Sequence, residues 1–131
     1  MGMYPQESKF PKYDSSIYFP AYKKYLLAGN QPSYPMNKNL RIVNIVGQSY
    51  GFLSDVAYIA NISGGNEFFL SAAVYVNDDG ILNDDKYDYK TRGFPFLKIL
   101  GEIFYQHVKV HHPSDSNNLD WLKELFSHAE N

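Results

Sequence analysis

Two groups of residues have types and spacing that suggest chemistry: His107 and His111, four apart, and the acidic doublets Asp78-Asp79 and Asp84-Asp85 around Gly80. On a helix the histidines would share a face, as zinc ligands do. No HExxH pattern and no acidic third ligand at helical spacing accompanies them, so helix-end histidines in a favourable partial charge account for them more simply. The acidic run has the composition of a calcium-binding loop, which needs carboxylates at its first and last positions. Setting Gly80 on the loop glycine places Tyr75 first and Lys86 last, so the pattern fails at both ends and reads as a solvated turn. A serine nucleophile would be announced by a strained turn such as GxSxG, and none is present. With no cysteine, thiolate metal sites, disulfides and cysteine nucleophiles are excluded, and no cofactor is called for.

The third candidate is NIVGQSYGFLSDVAYIAN, Asn44 to Asn61. It has the form of two strands joined by a glycine-bounded turn, with Asp55 as its single charged residue. It has the form of a substrate-facing edge from which the positive charge has been removed.

The elements that would position these groups follow from pattern. A chain of 131 residues with 44% apolar residues forms one domain with a real core. Twelve basic against fourteen acidic residues, with no basic stripe, give no means of neutralising phosphates, so nucleic acid is set aside as a partner. No apolar run approaches the roughly 20 residues of a membrane span, and the start MGMYPQESKF lacks the order of a signal peptide.

Three parts differ in texture. Residues 1–39 hold five of the seven prolines and six of the twelve tyrosines, which predicts an irregular segment clamped by aromatic packing, with a disordered arm over the first ten or so as the alternative. Within it AYKKYLLA, Ala21 to Ala28, suits a short helix ended by Gly29. Residues 40–110 carry three strands, LRIVNIVG, SDVAYIANI and EFFLSAAVYVN, joined by GQSYGFL and SGGN. Short connections imply an antiparallel meander, and near-continuous apolarity implies that both sheet faces are covered. After the acidic loop Asn77–Gly93, Pro95 opens a helix whose expected core face is Phe96, Leu97, Leu100, Ile103, Phe104 and His107 or Val108. Residues 111–131 form a linker and a short amphipathic helix, capped by Asn117 or Asn118, with Leu119, Leu122 and Phe126 as its stripe. The fold class is α+β: a three-stranded meander covered by a C-terminal helix.

At VGQSYGFLSDVAYIA the residues resemble the KTG strand and following strand of serine β-lactamases and penicillin-binding transpeptidases. Val46 and Gly47 match the second and third motif positions, Tyr50-Gly51 the YG that often follows, and Ser54 to Ile59 the start of the next strand. Phe68 to Val76 resembles the last sheet strand and Pro95 to His107 the covering helix. With YGFL...DVAYI, the acidic NDDGILNDD loop and the GFPFL helix start, the chain resembles such relatives from the Bacteroides group over about residues 12 to 108, which implies a partial β-lactamase-like sheet in a cell-envelope or periplasmic protein.

The resemblance implies a substrate-facing strand of Ile45, Val46, Gly47, Gln48, Tyr50 and Gly51, with the Gln48 N–H as an oxyanion donor. It also implies an incomplete site. Neither S-x-x-K nor S-x-N lies upstream of the strand, and Ile45 replaces the lysine, with Arg41 too far along the strand to substitute. The chain is therefore expected to be the inactive C-terminal portion of a β-lactamase-like serine hydrolase, meeting a peptide-like or β-lactam ligand only with an upstream catalytic segment. The alternative is a peptide-binding or self-associating scaffold that uses exposed strand edges. The edge of Phe68–Val76 would be bare, and is expected to pair with the same strand of a second molecule or to lie under the tyrosine-rich segment.

Overall fold

A computed structural model describes residues 4–112 and 119–127. Three strands, β1 (Leu40–Ser49), β2 (Phe52–Asn61) and β3 (Asn66–Tyr75), form an antiparallel sheet in the order β1-β2-β3. Helix α1 (Phe94–His111) lies against it and a second helix, α2 (Asp120–Ser127), follows. This is the expected α+β architecture, with β1 and β2 extended toward their shared turn and β3 ending at Tyr75, two residues short of the expected run. The first connection is Tyr50-Gly51 alone, not the seven residues GQSYGFL, because both positions adopt positive φ (48° and 88°) as a tight type I′-like hairpin turn requires. At Gly51 a Cβ would fall 2.7 Å from the Asn77 Cβ, so that position needs glycine on two counts.

The register sorts the strand residues onto two faces. Leu40, Ile42 and Asn44, then Leu53, Asp55, Ala57 and Ile59, then Phe68, Leu70 and Ala72 share one face. Its apolar members form a core with Tyr25, Leu26, Leu27 and Leu97. The opposite face is not covered as the sequence suggested: Ile45, Val56 and Phe69 stand exposed on it. Among the described residues only one helix crosses the sheet on the core side, and α2 reaches the other side at one end, where Leu119 and Leu122 bury Ala60 together with Ile62 and Tyr58 packs against them. The expected caps Asn117 and Asn118 lie outside the described residues.

The face that α1 buries also differs from expectation. Leu97 and Gly101 are buried, with Phe94, Leu100 and Tyr105 packed beside them, whereas Phe96, Ile103 and Phe104 are exposed. The reason is a close approach. A Cβ on Gly101 would sit 2.2 Å from the Leu27 nitrogen, so the helix presents its one side-chain-free position to the Leu26-Leu27 backbone and turns its larger residues outward.

Ala21 to Ala28 is not a helix. Lys23, Leu27 and Asn30 have positive φ (55°, 75° and 55°), which breaks the α pattern. The N–H groups of Tyr25 and Leu26 go instead to the Asp55 carboxylate, at 3.1 and 2.9 Å. The tyrosine-rich segment is docked from Tyr4 onward, and it lies along β1, not over the outer edge of β3. Pro5–Glu7 makes a short 3-10 turn whose Glu7 pairs with Arg41, and the Arg41 guanidinium stacks between Tyr4 and Phe126 at 5.5 and 4.2 Å from their ring centres. No helix among the described residues is long and apolar enough to cross a membrane.

Candidate functional site: the edge of β1 and the buried lysine beside it

In a two-residue hairpin Ser49 and Phe52 exchange both backbone hydrogen bonds, so alternate residues of β1 turn their N–H and C=O away from β2. These are Leu40, Ile42, Asn44, Val46 and Gln48. Tyr4 satisfies the first two: its hydroxyl donates to the Leu40 carbonyl (2.8 Å) and accepts from the Ile42 N–H (3.2 Å). Beyond it, a pocket of about 430 Å³ opens along the edge, lined by Tyr13, Tyr18, Tyr22, Lys23, Lys24 and the strand from Asn44 to Val46. The three tyrosines support one another, with ring centres 4.9 Å apart from Tyr13 to Tyr18 and from Tyr18 to Tyr22. Just past the pocket, Gln48 accepts the Tyr25 hydroxyl through Oε1 at 3.1 Å.

Beneath this edge lies a connected polar network. Lys24 Nζ donates to Asn44 Oδ1 at 2.7 Å, and Asn44 Nδ2 donates to Asp55 Oδ1 at 2.9 Å and to the Lys23 carbonyl at 2.9 Å. Asp55 is wholly buried and accepts from the adjacent Tyr25 and Leu26 N–H groups through its other oxygen. Two successive amides converging on one carboxylate form an anion-binding nest, and here the anion is the protein's own. Burial raises the Asp55 pKa above the usual carboxylate range, opposed by those hydrogen bonds and by Lys24. Burial likewise lowers Lys24 to about 8, with Asp55 and Glu7 opposing.

Lys24 thus costs stability whenever it must be charged inside the fold. A pKa depressed on folding contributes stability that is present above the unfolded value of 10.5 and is lost as pH falls through about 8. Denaturant unfolding at pH 7 and at pH 9.5 is therefore expected to show the wild type more stable at the higher pH. Lys24→Met should remove that gain, and an unchanged pH dependence in the variant would refute the assignment.

The structure scatters the six residues of the expected substrate strand. Ile45 and Gly47 project onto the open sheet face, Val46 packs on the core side, Gln48 meets Tyr25, and Tyr50-Gly51 is the turn itself. Of the six, Ile45 and Val46 line the pocket, and Gln48 presents its backbone along the same edge. Asp55, aligned above with the start of the strand that follows the substrate-facing one, points into the core as the anchor of segment 24–26. What sequence reasoning missed is Lys24, Asn44 and the tyrosine trio. One signal was present: Asn44 and Asp55 are polar residues on strand positions whose neighbours two residues away are apolar, and the hairpin sets them side by side.

The other two candidates remain apart from this site. His107 and His111 stack with ring centres 4.5 Å apart on α1, and Arg92 pairs with Asp78 of the acidic loop at 2.5 Å. Among the described residues no group of three His, Asp or Glu side chains is arranged to hold a metal ion. No family model, curated protein or solved structure matches the chain.

Proposed function

We propose that the protein is a non-catalytic binding scaffold that takes an extended, peptide-like segment as an added strand along the free edge of β1. The observation that supports it is the run of outward backbone groups at Val46 and Gln48 beside a tyrosine-lined pocket of about 430 Å³. Strand addition draws affinity from main-chain hydrogen bonds and specificity from side-chain pockets, and this edge supplies both. The resemblance to the C-terminal part of β-lactamase-like serine hydrolases agrees with the same edge, since that strand in the family receives substrate backbone. On that reading the chain is a catalytically incomplete relative, with Ile45 where a lysine would stand, and cell-wall peptides are the first ligands to try.

The test is titration of the isotopically labelled chain with such peptides. Amide shifts confined to Val46–Tyr50 are expected, and Gln48→Pro should abolish them, because it removes an outward N–H while leaving the β1–β2 ladder intact. Shifts elsewhere, or none at millimolar peptide, would overturn the proposal.

A second reading concerns the other edge. By the same alternation, Glu67, Phe69, Ser71, Ala73 and Tyr75 turn their backbone groups away from β2, and among the described residues no strand lies beside them. Pairing of two copies along Phe68–Val76, giving a six-stranded sheet, would satisfy these groups. If this edge, and not the open sheet face, held two copies together, Ser71→Pro would yield a monomer.

A further inference from the structure

The open face of the sheet has a pattern that neither edge explains. Reading across the strands in register, it consists of rows: Ser49–Phe52–Tyr75, then Gly47–Ser54–Ala73, then Ile45–Val56–Ser71, then Val43–Tyr58–Phe69. The fifth row, Arg41–Ala60–Glu67, is where α2 sits, and Tyr58 of the fourth row packs against its edge while Phe69 beside it stays open. The four open rows contain no lysine, arginine, aspartate or glutamate, the residues with which exposed sheets are ordinarily protected from association.

The apolar area is large. Ile45 is 75% exposed, Phe69 79%, and Phe52, Val56 and Tyr75 about half or more. Together these five side chains open roughly 600 Å² of apolar surface, at the upper limit of the largest patch on an ordinary monomer. It is also most of the roughly 800 Å² per partner that a standard specific interface buries.

We propose that this face packs against the same face of a second copy, forming a two-layer sandwich about a two-fold axis that runs across the strands between the Ile45 and Gly47 rows. The order of the rows carries the choice of partner. That axis sets the Ile45–Val56 row of each copy over the small Gly47–Ser54–Ala73 row of the other. It also sets the aromatic pair Phe52–Tyr75, with ring centres 4.7 Å apart, over the pair Tyr58–Phe69, with ring centres 5.0 Å apart. Large meets small and aromatic meets aromatic, twice over, which is the self-complementarity an isologous contact demands. Sheets packed in this aligned way lie about 10 Å apart with strands within about 30° of one another. Helix α2, seated on the fifth row, closes the end at which the partner's Tyr50-Gly51 turn arrives.

The face and the Phe68–Val76 edge are separable by experiment. Light scattering after size exclusion at high micromolar concentration should give twice the chain mass for the wild type. Val56→Lys, central on the face, should run as a folded monomer by mass and circular dichroism. Should Val56→Lys fail to fold, Phe69→Lys, at the most exposed of these positions, takes its place. Ser71→Pro, which disables only the outer edge of β3, should remain dimeric. A wild-type monomer overturns the proposal, as does a dimer that persists in the lysine variants or one that Ser71→Pro abolishes.

Discussion

Replacing Asp55 by alanine is expected to remove about 4 kcal/mol of stability, enough to leave a domain of this size marginal or unfolded at 25 °C. The loss has two sources. The Tyr25 and Leu26 N–H groups, now bonded to one carboxylate oxygen, would be left buried without acceptors, each at a cost of roughly 1–3 kcal/mol. Lys24, 2% exposed, would also lose the anion that most opposes the fall of its pKa, so that holding its charge inside the fold would cost more. Asp55→Asn should lose less, because an amide oxygen can still accept from the same two amides. Adding Lys24→Met to Asp55→Ala should recover only the electrostatic part. Urea unfolding of the four proteins checks the ordering, and an Asp55→Ala variant within about 1 kcal/mol of wild type would show that the segment is held by its apolar side chains alone.

Gly101→Ala should destabilise by about 3 kcal/mol, although alanine in a helix ordinarily gains about 1 kcal/mol over glycine. The added methyl would lie 2.2 Å from the Leu27 nitrogen and 2.9 Å from its Cα, and both are backbone atoms that no rotamer change can move aside. The helix would have to lift from the Leu26-Leu27 segment, and Leu97 would lose its place in the core with it. Ile103→Ala is the matching control. On the outward face of α1, 60% exposed, it should change stability by less than about 0.5 kcal/mol, whereas a core isoleucine would cost roughly 2–5 kcal/mol. If the two effects were reversed in thermal or urea unfolding, the helix would pack by the stripe that its sequence periodicity suggests.

Local signals account for most of the framework. Three β-rich runs bounded by turn residues, short connections between them and Pro95 opening a long amphipathic run are features of neighbouring residues, so the meander and its helix are legible in the sequence alone. The stripe of α2 is legible for the same reason, since Leu119 and Leu122 are three apart and are the pair buried against Ala60 and Ile62. The candidate site is only half visible. The hairpin around Tyr50-Gly51 can be located, yet the pocket beside it is built by Tyr13, Tyr18, Tyr22 and Lys24, which lie far upstream along the chain.

What the sequence by itself determined is therefore the alternation of strand and turn, the antiparallel order, and the absence of thiol chemistry. Tertiary structure decided three things that local pattern misjudged. Ala21 to Ala28 has helical composition, but two of its amides find a better acceptor in Asp55, about 30 residues downstream, and the helix does not form. The apolar stripe of α1 is wider than its contact, and the side that faces the sheet is chosen by Gly101, because backbone-to-backbone approach is possible only there. The strands are apolar on both faces, yet the described chain supplies one full covering layer, so Ile45, Val56 and Phe69 are left uncovered by the chain itself. In each case the deciding contact joins residues far apart in the chain, and a periodicity read over a dozen neighbours carries no information about it.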